Sequence, residues 1–374
     1  MSVGLGVPKI RKWFIVLGTP KTYERRRSRL RPRRSRVVLT GAVCAVTDQG
    51  TELDSADVVV VGGGPSGCAA AVFTARYGLD TVVFDRGNAA LRRCAYLENY
   101  LGFPAGIGVD TFTALMHEHL AEVGADYVAD MVVSVERPGD ESEVAAASEG
   151  ESDAFDADAR RFVVRTQEGR RVEADHVVAA AWYDGDYLRG LDDDDAMFEE
   201  HDHHGEVHEQ FDSDYADDDG RTPVDGLYVA APSGDRNAQV GIAVGQGGHV
   251  ARCLIEDRRR ERGFPGDLAA HYDWLRADTE FHGEWGDRDR WREWFDGEVP
   301  DDADLDDERL AELRESYIDR AFDTRRTDHE VEAAEPRGIR RLVETIGTER
   351  VLDALPDEAL ADYLDGRELG GVEQ

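Results

Sequence analysis

The sequence predicts an α/β fold, in which a mainly parallel sheet lies between covering layers and a helical extension follows. Three observations carry this expectation. The run Asp57-Val-Val-Val-Val-Gly-Gly-Gly-Pro-Ser-Gly67 is a short apolar strand that breaks into glycines and a helix start. A second strand, Thr81-Val-Val-Phe84, ends in Asp85, 23 residues beyond Gly62. Apolar runs of strand length recur at 176–181 and 226–230, as strands buried on both faces read.

The glycines carry the most chemistry. Gly62, Gly64 and Gly67 fit G-x-G-x-x-G, and Pro65 and Ser66 open the helix behind them. Gly62 permits a tight turn, Gly64 lets backbone approach a pyrophosphate, and Gly67 lets helix and strand pack closely. The helix N-terminus offers free N–H groups and a positive dipole end to phosphates. Asp85 is placed to accept hydrogen bonds from a ribose, and Arg86 beside it joins the same cofactor set. Strand, glycines, the Ala-rich helix (Ala69-Ala-Ala71, Phe73, Ala75), second strand and terminal acid together predict a Rossmann-like, three-layer FAD/NAD(P)-binding domain. A plain βαβ unit is the other reading.

Further along, 110–123 reads as an amphipathic helix through Phe112, Leu115, Met116 and Leu120, and 128–136 as a strand. Residues 138–159 read as a surface excursion. Strands at 161–166 and 171–173 form a hairpin turned at Glu168-Gly169. An acidic loop, 184–221, comes before the closing strand at 226–230 and a Gly- and Ala-rich helix at 239–254. The domain is expected over 55–255 and an acidic helical extension over 256–374. Within the extension, Asp306 is a candidate N-cap for a helix carrying Leu310, Leu313, Tyr317 and Ala321, and two short helices are expected near Leu342–Ile346 and Val351–Leu355. Trp274, Trp285, Trp291 and Trp294 are expected to pack this segment onto the body of the protein; a substrate or partner surface is the alternative.

Composition narrows the partners. The formal net charge is −35, which disfavours nucleic acid and anionic membranes. Acids throughout, arginine for nearly all positive charge and only three lysines resemble proteins that live in molar salt. Residues 1–36 break this pattern with twelve basic side chains against one acid, Glu24. Segment 1–50 reads as a disordered basic arm or as upstream sequence outside the true start. A twin-arginine export signal built on Arg33-Arg34 and a nucleic-acid-binding arm are the other readings. No run of 18 apolar residues predicts a membrane span. Four cysteines without a C-x-x-C fit the reducing cytoplasm.

At Glu98-Asn-Tyr-Leu-Gly-Phe-Pro104 the order of segments resembles the flavin-binding half of thioredoxin reductases and related pyridine nucleotide-disulfide oxidoreductases. The resemblance implies that Gly62, Gly64, Pro65, Ser66 and Gly67 hold the FAD pyrophosphate and Asp85 its ribose. It implies Asn99 beside the flavin, the strand at Val132 by the adenine, and Asp235, Gln239 and Val240 at the closing helix. NAD(P)H from solution or a small-molecule or protein donor would supply electrons, and the chain would form a homodimer. The departures are as informative. The redox C-x-x-C and a second G-x-G-x-x-G are missing. The A-T-G element reads Ala180-Ala181-Trp182, the G-D element Ala231-Pro232 with Asp235 displaced, and the G-G-Q-L run Asn88-Ala-Ala-Leu91. These features imply an FAD-dependent oxidoreductase without dithiol chemistry; a non-catalytic dinucleotide-binding protein, or one that takes NAD alone, remains the alternative.

Two further candidates stand outside that frame. Cys94, five residues before Asn99, is a candidate redox thiol near the flavin. His204 and His208, at i and i+4, would share a helix face and suit zinc, although Gly205 opposes a helix and a solvated loop is the other reading; no metal is assigned.

The charge pattern makes one prediction. Salt screens self-repulsion, so the melting temperature should fall steeply as KCl drops from molar to millimolar. A flat dependence in a thermal-shift titration would refute this.

Overall fold

The computed structural model describes residues 54–138, 161–181, 185–203, 206–212, 214–231 and 239–365. The chain divides into units Met1–Ala45 and Val46–Gln374, and the first lies outside the described residues, as do all the readings made of segment 1–50.

The nucleotide-type unit forms as expected: β1 (Ser55–Val61), α1 (Pro65–Tyr77) and β2 (Thr81–Phe84). Then come α2 (Val109–Val123), β3 (Asp126–Val128), β4 (Val132–Glu136), β5 (Phe162–Thr166) and β6 (Arg171–Ala179). The order along the sheet is β3-β2-β1-β6-β5-β4. Strands β3, β2, β1 and β6 run parallel, whereas β4, β5 and β6 form an antiparallel meander. The closing strand β9 (Leu227–Val229) pairs in parallel with Val177–Ala179, the C-terminal part of β6. On one edge strand β6 thus pairs with β5 through its first half and with β9 through its second, while β1 runs parallel along its other edge from Glu173 to Ala179.

Alternation along β1 divides the core. Val58 and Val60 pack with Ala70, Ala71, Leu120, Val250 and Leu254 of the helical layer. Val59 and Val61 face the opposite layer with Phe162, Val164, Leu188 and Met197. These strand positions are almost wholly removed from water.

The segment read as an acidic loop is more ordered than its composition predicts. It holds α3 (Asp194–Met197), whose N-cap Asp193 accepts from the Asp195 N–H, and a hairpin of β7 (Phe198–His203) and β8 (Glu206–Phe211). Met197 and Phe198 are the buried anchors, and Phe198 packs edge-on against Phe211 at 5.8 Å.

Helix α4 (Val240–Glu261) runs seven residues beyond its predicted end. Its approach to α1 is unusually close. A Cβ on Gly247 would lie 1.9 Å from the Ser66 carbonyl oxygen, and one on Gly67 would lie 1.9 Å from the Gly62 carbonyl oxygen. Gly62 takes φ +112, and a Cβ there would meet the Ala181 nitrogen at 2.8 Å. Backbone occupies the space where side chains would sit, so only glycine fits these three positions.

The extension continues with α5 (Arg288–Glu298), α6 (Asp307–Asp323), α7 (Asp328–Ile346), α8 (Thr348–Asp353) and α9 (Asp357–Asp365). Asp306 caps α6 as expected, accepting from the Arg309 N–H at 2.8 Å. Helix α7 begins much earlier than predicted, from a Thr327–Glu330 capping box, and keeps Pro336 inside it. The tryptophans build a small core of the extension itself, with Trp291 beside Phe281, Trp285 and Trp294 and with Ile318 buried in the same cluster; Trp274 stays exposed. Docking onto the sheet domain is largely polar: Arg76–Asp273 at 2.6 Å and Arg341–Glu118 at 2.6 Å.

Two measurements test this packing. Gly247→Ala should lower the unfolding free energy by about 2 kcal/mol, because overpacking against backbone outweighs the ~1 kcal/mol gain in helix propensity. Gly245→Ala, on the same helix with nothing within 4 Å of the added Cβ, should instead stabilise by about 1 kcal/mol. Guanidinium titration in molar salt reads both.

His176 supplies the second. It is buried on β6, neither ring nitrogen has a hydrogen-bond partner, and burial, then Arg161 and Arg258, push its pKa down to about 3. The unfolded imidazole takes a proton near 6.5. Between those values the unfolded chain binds more protons, so stability falls as pH drops from about 6.5 toward 3. His176→Val should make that loss shallower by about 1.4 kcal/mol per pH unit, read from denaturation midpoints between pH 6 and 4.

Candidate functional site

A cleft of about 140 Å³ opens beyond the C-terminal ends of β1 and β2. It is lined by Gly62, Gly63, Gly64, Pro65 and Ser66 at the start of α1, by Asp85 and Arg86 after β2, and by Gln239, Val240 and Ala243 at the start of α4. Both helices therefore present their N-termini to one space. Neither has an acidic residue in its first turn, so both positive dipole ends are left uncompensated by the chain's own carboxylates.

The glycine turn is shaped for close approach. Gly64 is the N-cap of α1, and a Cβ there would meet no protein atom nearer than the Ala89 Cβ at 3.9 Å. Its backbone face is thus open, while Gly62 and Gly67 are closed off by protein backbone. Ser66 turns inward and its hydroxyl donates to the Ala230 carbonyl, tying α1 to the end of β9. Cys68, one turn along, is buried, and burial pushes its thiol up to about 12. It is a packing group here.

At the other end of the cleft, Asp85 is buried and one carboxylate oxygen accepts from the Tyr127 hydroxyl at 2.9 Å. Burial, then the Asp85 charge, raises the Tyr127 pKa above its ordinary value, so the hydroxyl stays a donor. His117 lies against the Tyr127 ring at 4.1 Å, and burial pushes its pKa down. Gly63 fits this arrangement too: a Cβ there would meet the Asp85 Cβ and the Tyr127 ring, both at 2.8 Å. Sequence reasoning passed over Gly63 and Tyr127. The available signal was the strand after α2, which sets Tyr127 opposite Val83 beside the strand that ends in Asp85.

The remaining sequence candidates divide. Asn99 is exposed and outside the cleft lining, yet its side-chain amide donates to the Gln239 side-chain oxygen at 2.9 Å. It thereby fastens the E-N-Y element to the N-cap residue of the closing helix. Cys94 is exposed and lines the cleft. Val132 does not line it; its side chain is buried in the sheet core, paired on β4 opposite Thr166. Asp235 and His204 lie outside the described residues. His208 stands on β8 opposite His201, so this segment is a hairpin and not the helix that would have set His204 and His208 on one face.

Two of the departures from the resembled pattern fall on the cleft wall. Asn88, Ala89, Ala90 and Leu91, together with Ala180 and Ala181, line it. Alanine and leucine there make the wall more apolar than the polar elements they replace. The donor set still suits a dinucleotide: open backbone N–H groups for phosphates, a buried acid for a ribose and a second helix N-terminus for further negative charge.

A group of metal-type ligand atoms occurs elsewhere among the described residues. The side chains of Asp219, His249 and Cys253 bring one ligand atom each within 4.8 Å. The Arg221 guanidinium already pairs with Asp219 at 2.6 Å and disfavours a cation beside it.

Part of the chain is similar to known proteins. Residues 56–181 match the family described as pyridine nucleotide-disulphide oxidoreductase. The chain is similar to thioredoxin reductase of Aquifex aeolicus (strain VF5), 34% identical over 90 residues, covering 24% of this chain and 28% of that protein. Thioredoxin reductase of Bacillus subtilis (strain 168) is 37% identical over 73 residues, covering 19% and 23%. The matched stretch thus spans about a quarter of these relatives' length. A solved thioredoxin reductase from Gloeobacter violaceus aligns at 18% identity and TM-score 0.40, covering 60% of this chain and 98% of that one. HlmI aligns at 18% identity and TM-score 0.40, covering 55% and 93%. The β1–β6 domain is thus similar to the pyridine nucleotide-disulphide oxidoreductases, thioredoxin reductases among them.

Proposed function

We propose that the cleft binds FAD and that the protein is a flavin-dependent oxidoreductase working without dithiol chemistry. The observation that carries this reading is the convergence of the α1 and α4 N-termini, free of acids, on one cleft that also holds Asp85. Backbone at Gly64, Pro65 and Ser66 would hold the pyrophosphate, and Asp85 a ribose. The start of α4 at Gln239 and Val240 would stabilise negative charge at the flavin end. When bound, FAD supplies the electron and hydride chemistry; the chain supplies orientation and electrostatics.

Dithiol exchange needs a reactive cysteine pair, and the sequence has no C-x-x-C. Residues 185–231 form a short helix, a hairpin and β9, an arrangement unlike a second nucleotide-binding unit. NAD(P)H arriving from solution, or a protein donor, is therefore the proposed source of electrons.

The apolar run at Asn88–Leu91 favours a second reading, in which the same cradle holds a dinucleotide for a structural or regulatory purpose. One purification separates the two. The protein from high salt should be yellow, with a flavin spectrum that bleaches anaerobically with NADH or NADPH. Yellow protein that no reductant but dithionite bleaches favours the passive role. Colourless protein that takes up no added FAD would overturn both flavin readings. Asp85→Ala should weaken FAD at least tenfold, by quenching of flavin fluorescence, without changing the far-UV circular dichroism.

A further inference from the structure

A second cavity, of about 40 Å³, lies where the extension meets α1 and α4. It is lined by Arg259 of α4, by Arg276 of the two-residue strand Arg276–Ala277, by Arg320 of α6, and by His271, Tyr272 and Tyr317. Three guanidinium groups around one small space are unexpected, because the chain carries 79 acidic residues and most described arginines pair with one of them. Among the described residues, no carboxylate lies within 4.0 Å of Arg259, Arg276 or Arg320.

Their existing contacts are neutral. Arg259 is 3% exposed. It donates to the carbonyls of Ala269 and Leu268, each at 2.8 Å, and lies 3.9 Å over the Phe264 ring. Arg320 donates to the Tyr77 carbonyl at 2.9 Å and covers the Tyr77 ring at 4.0 Å. The nearby carboxylate of Asp273 is engaged by Arg76 through two hydrogen bonds. A guanidinium has five N–H donors, so these contacts leave donors over on both arginines. Removing such charge from water is costly unless an anion compensates it. His271 does not relieve the positive charge; burial and then Arg320 and Arg259 hold it neutral, with a pKa near 3.

We propose that this cavity is a binding site for a small oxyanion, either free inorganic phosphate or the phosphate group of a ligand. Guanidinium forks match the oxygens of phosphate in paired hydrogen bonds, and the Tyr272 and Tyr317 hydroxyls add directional donors. A halide satisfies the charge but not the forks. The anion would bridge three separate elements, α4, α6 and the strand carrying Arg276, and so lock the extension onto the sheet domain. The site is independent of the proposed flavin cleft.

The test is equilibrium dialysis of the full chain with radiolabelled inorganic phosphate. Ionic strength is held constant with potassium gluconate, whose anion is too large for the cavity. Wild type should bind phosphate saturably, and Arg276→Gln should weaken that binding at least tenfold. Arg325→Gln, on the neighbouring strand and already paired with Asp278, should leave it unchanged. Melting curves in gluconate alone check that each variant is folded. Arg320→Lys, which keeps the charge and loses the fork, should also bind weakly and serves if Arg276→Gln fails to fold. Undiminished binding in folded Arg276→Gln would place the anion elsewhere and overturn the proposal. So would equal loss in Arg325→Gln, no saturable binding in wild type, or displacement of phosphate by equimolar chloride.

Discussion

The contact between α1, the end of β1 and α4 is the constraint on which the rest of the structure depends. At Gly67 and Gly247 a single added carbon would lie 1.9 Å from a backbone oxygen. The two helices therefore approach as backbone against backbone, with Ser66 bonded to Ala230 at their junction. Because α1 and α4 start beside each other, their unpaired N–H groups face one cleft. A bulkier contact would separate the helix starts and split the positive field between two places. The geometry of the cleft is thus a consequence of core packing and not of loop conformation.

The distribution of charge says more than its total. Acids occupy the first turns of α2, α3, α5, α6, α7, α8 and α9, where each stabilises its helix by about 0.3–1 kcal/mol through the dipole. Among the described α-helices they are missing from the first turns of α1 and α4 only. In so acidic a chain, these two starts forgo a stabilisation that the other helices use. The same reasoning applies at Arg259, Arg276 and Arg320, which remain without carboxylates where carboxylates are abundant. Both exceptions lie where elements distant in sequence meet, and both leave positive charge directed into a cavity.

What could be read from sequence follows from how local the physics is. Strand β1, its glycines, α1 and Asp85 were legible because period, turn chemistry and helix start all lie within thirty residues and agree. The Asp306 cap was legible for the same reason. The hairpin Phe198–Phe211 was not: its strands are mostly polar, and their anchoring rests on Met197, Phe198 and Phe211 meeting the far side of the sheet. Helix α7 was read too short because Glu335-Pro336-Arg337-Gly338 carries two weak helix formers, while its capping box lies a full eight residues upstream. Gly63 and Tyr127 were hard to read as site residues because only the parallel registers of β1 with β2 and of β2 with β3 bring them to Asp85.

That register also determines what Asp85 can do. A carboxylate at a strand end is free to rotate, and a ligand that fixes it must overcome that freedom. Here the Tyr127 hydroxyl holds one oxygen in advance, so the other can accept from a donor in the cleft without further ordering of the side chain. His117, stacked behind Tyr127 and kept neutral by burial, adds packing without introducing a cation that would compete for the carboxylate. The absence of a Cβ at Gly63 is what lets tyrosine, acid and glycine turn share the space. The glycine turn and Asp85 are therefore one packed unit, and a change at Gly63 would disturb both together.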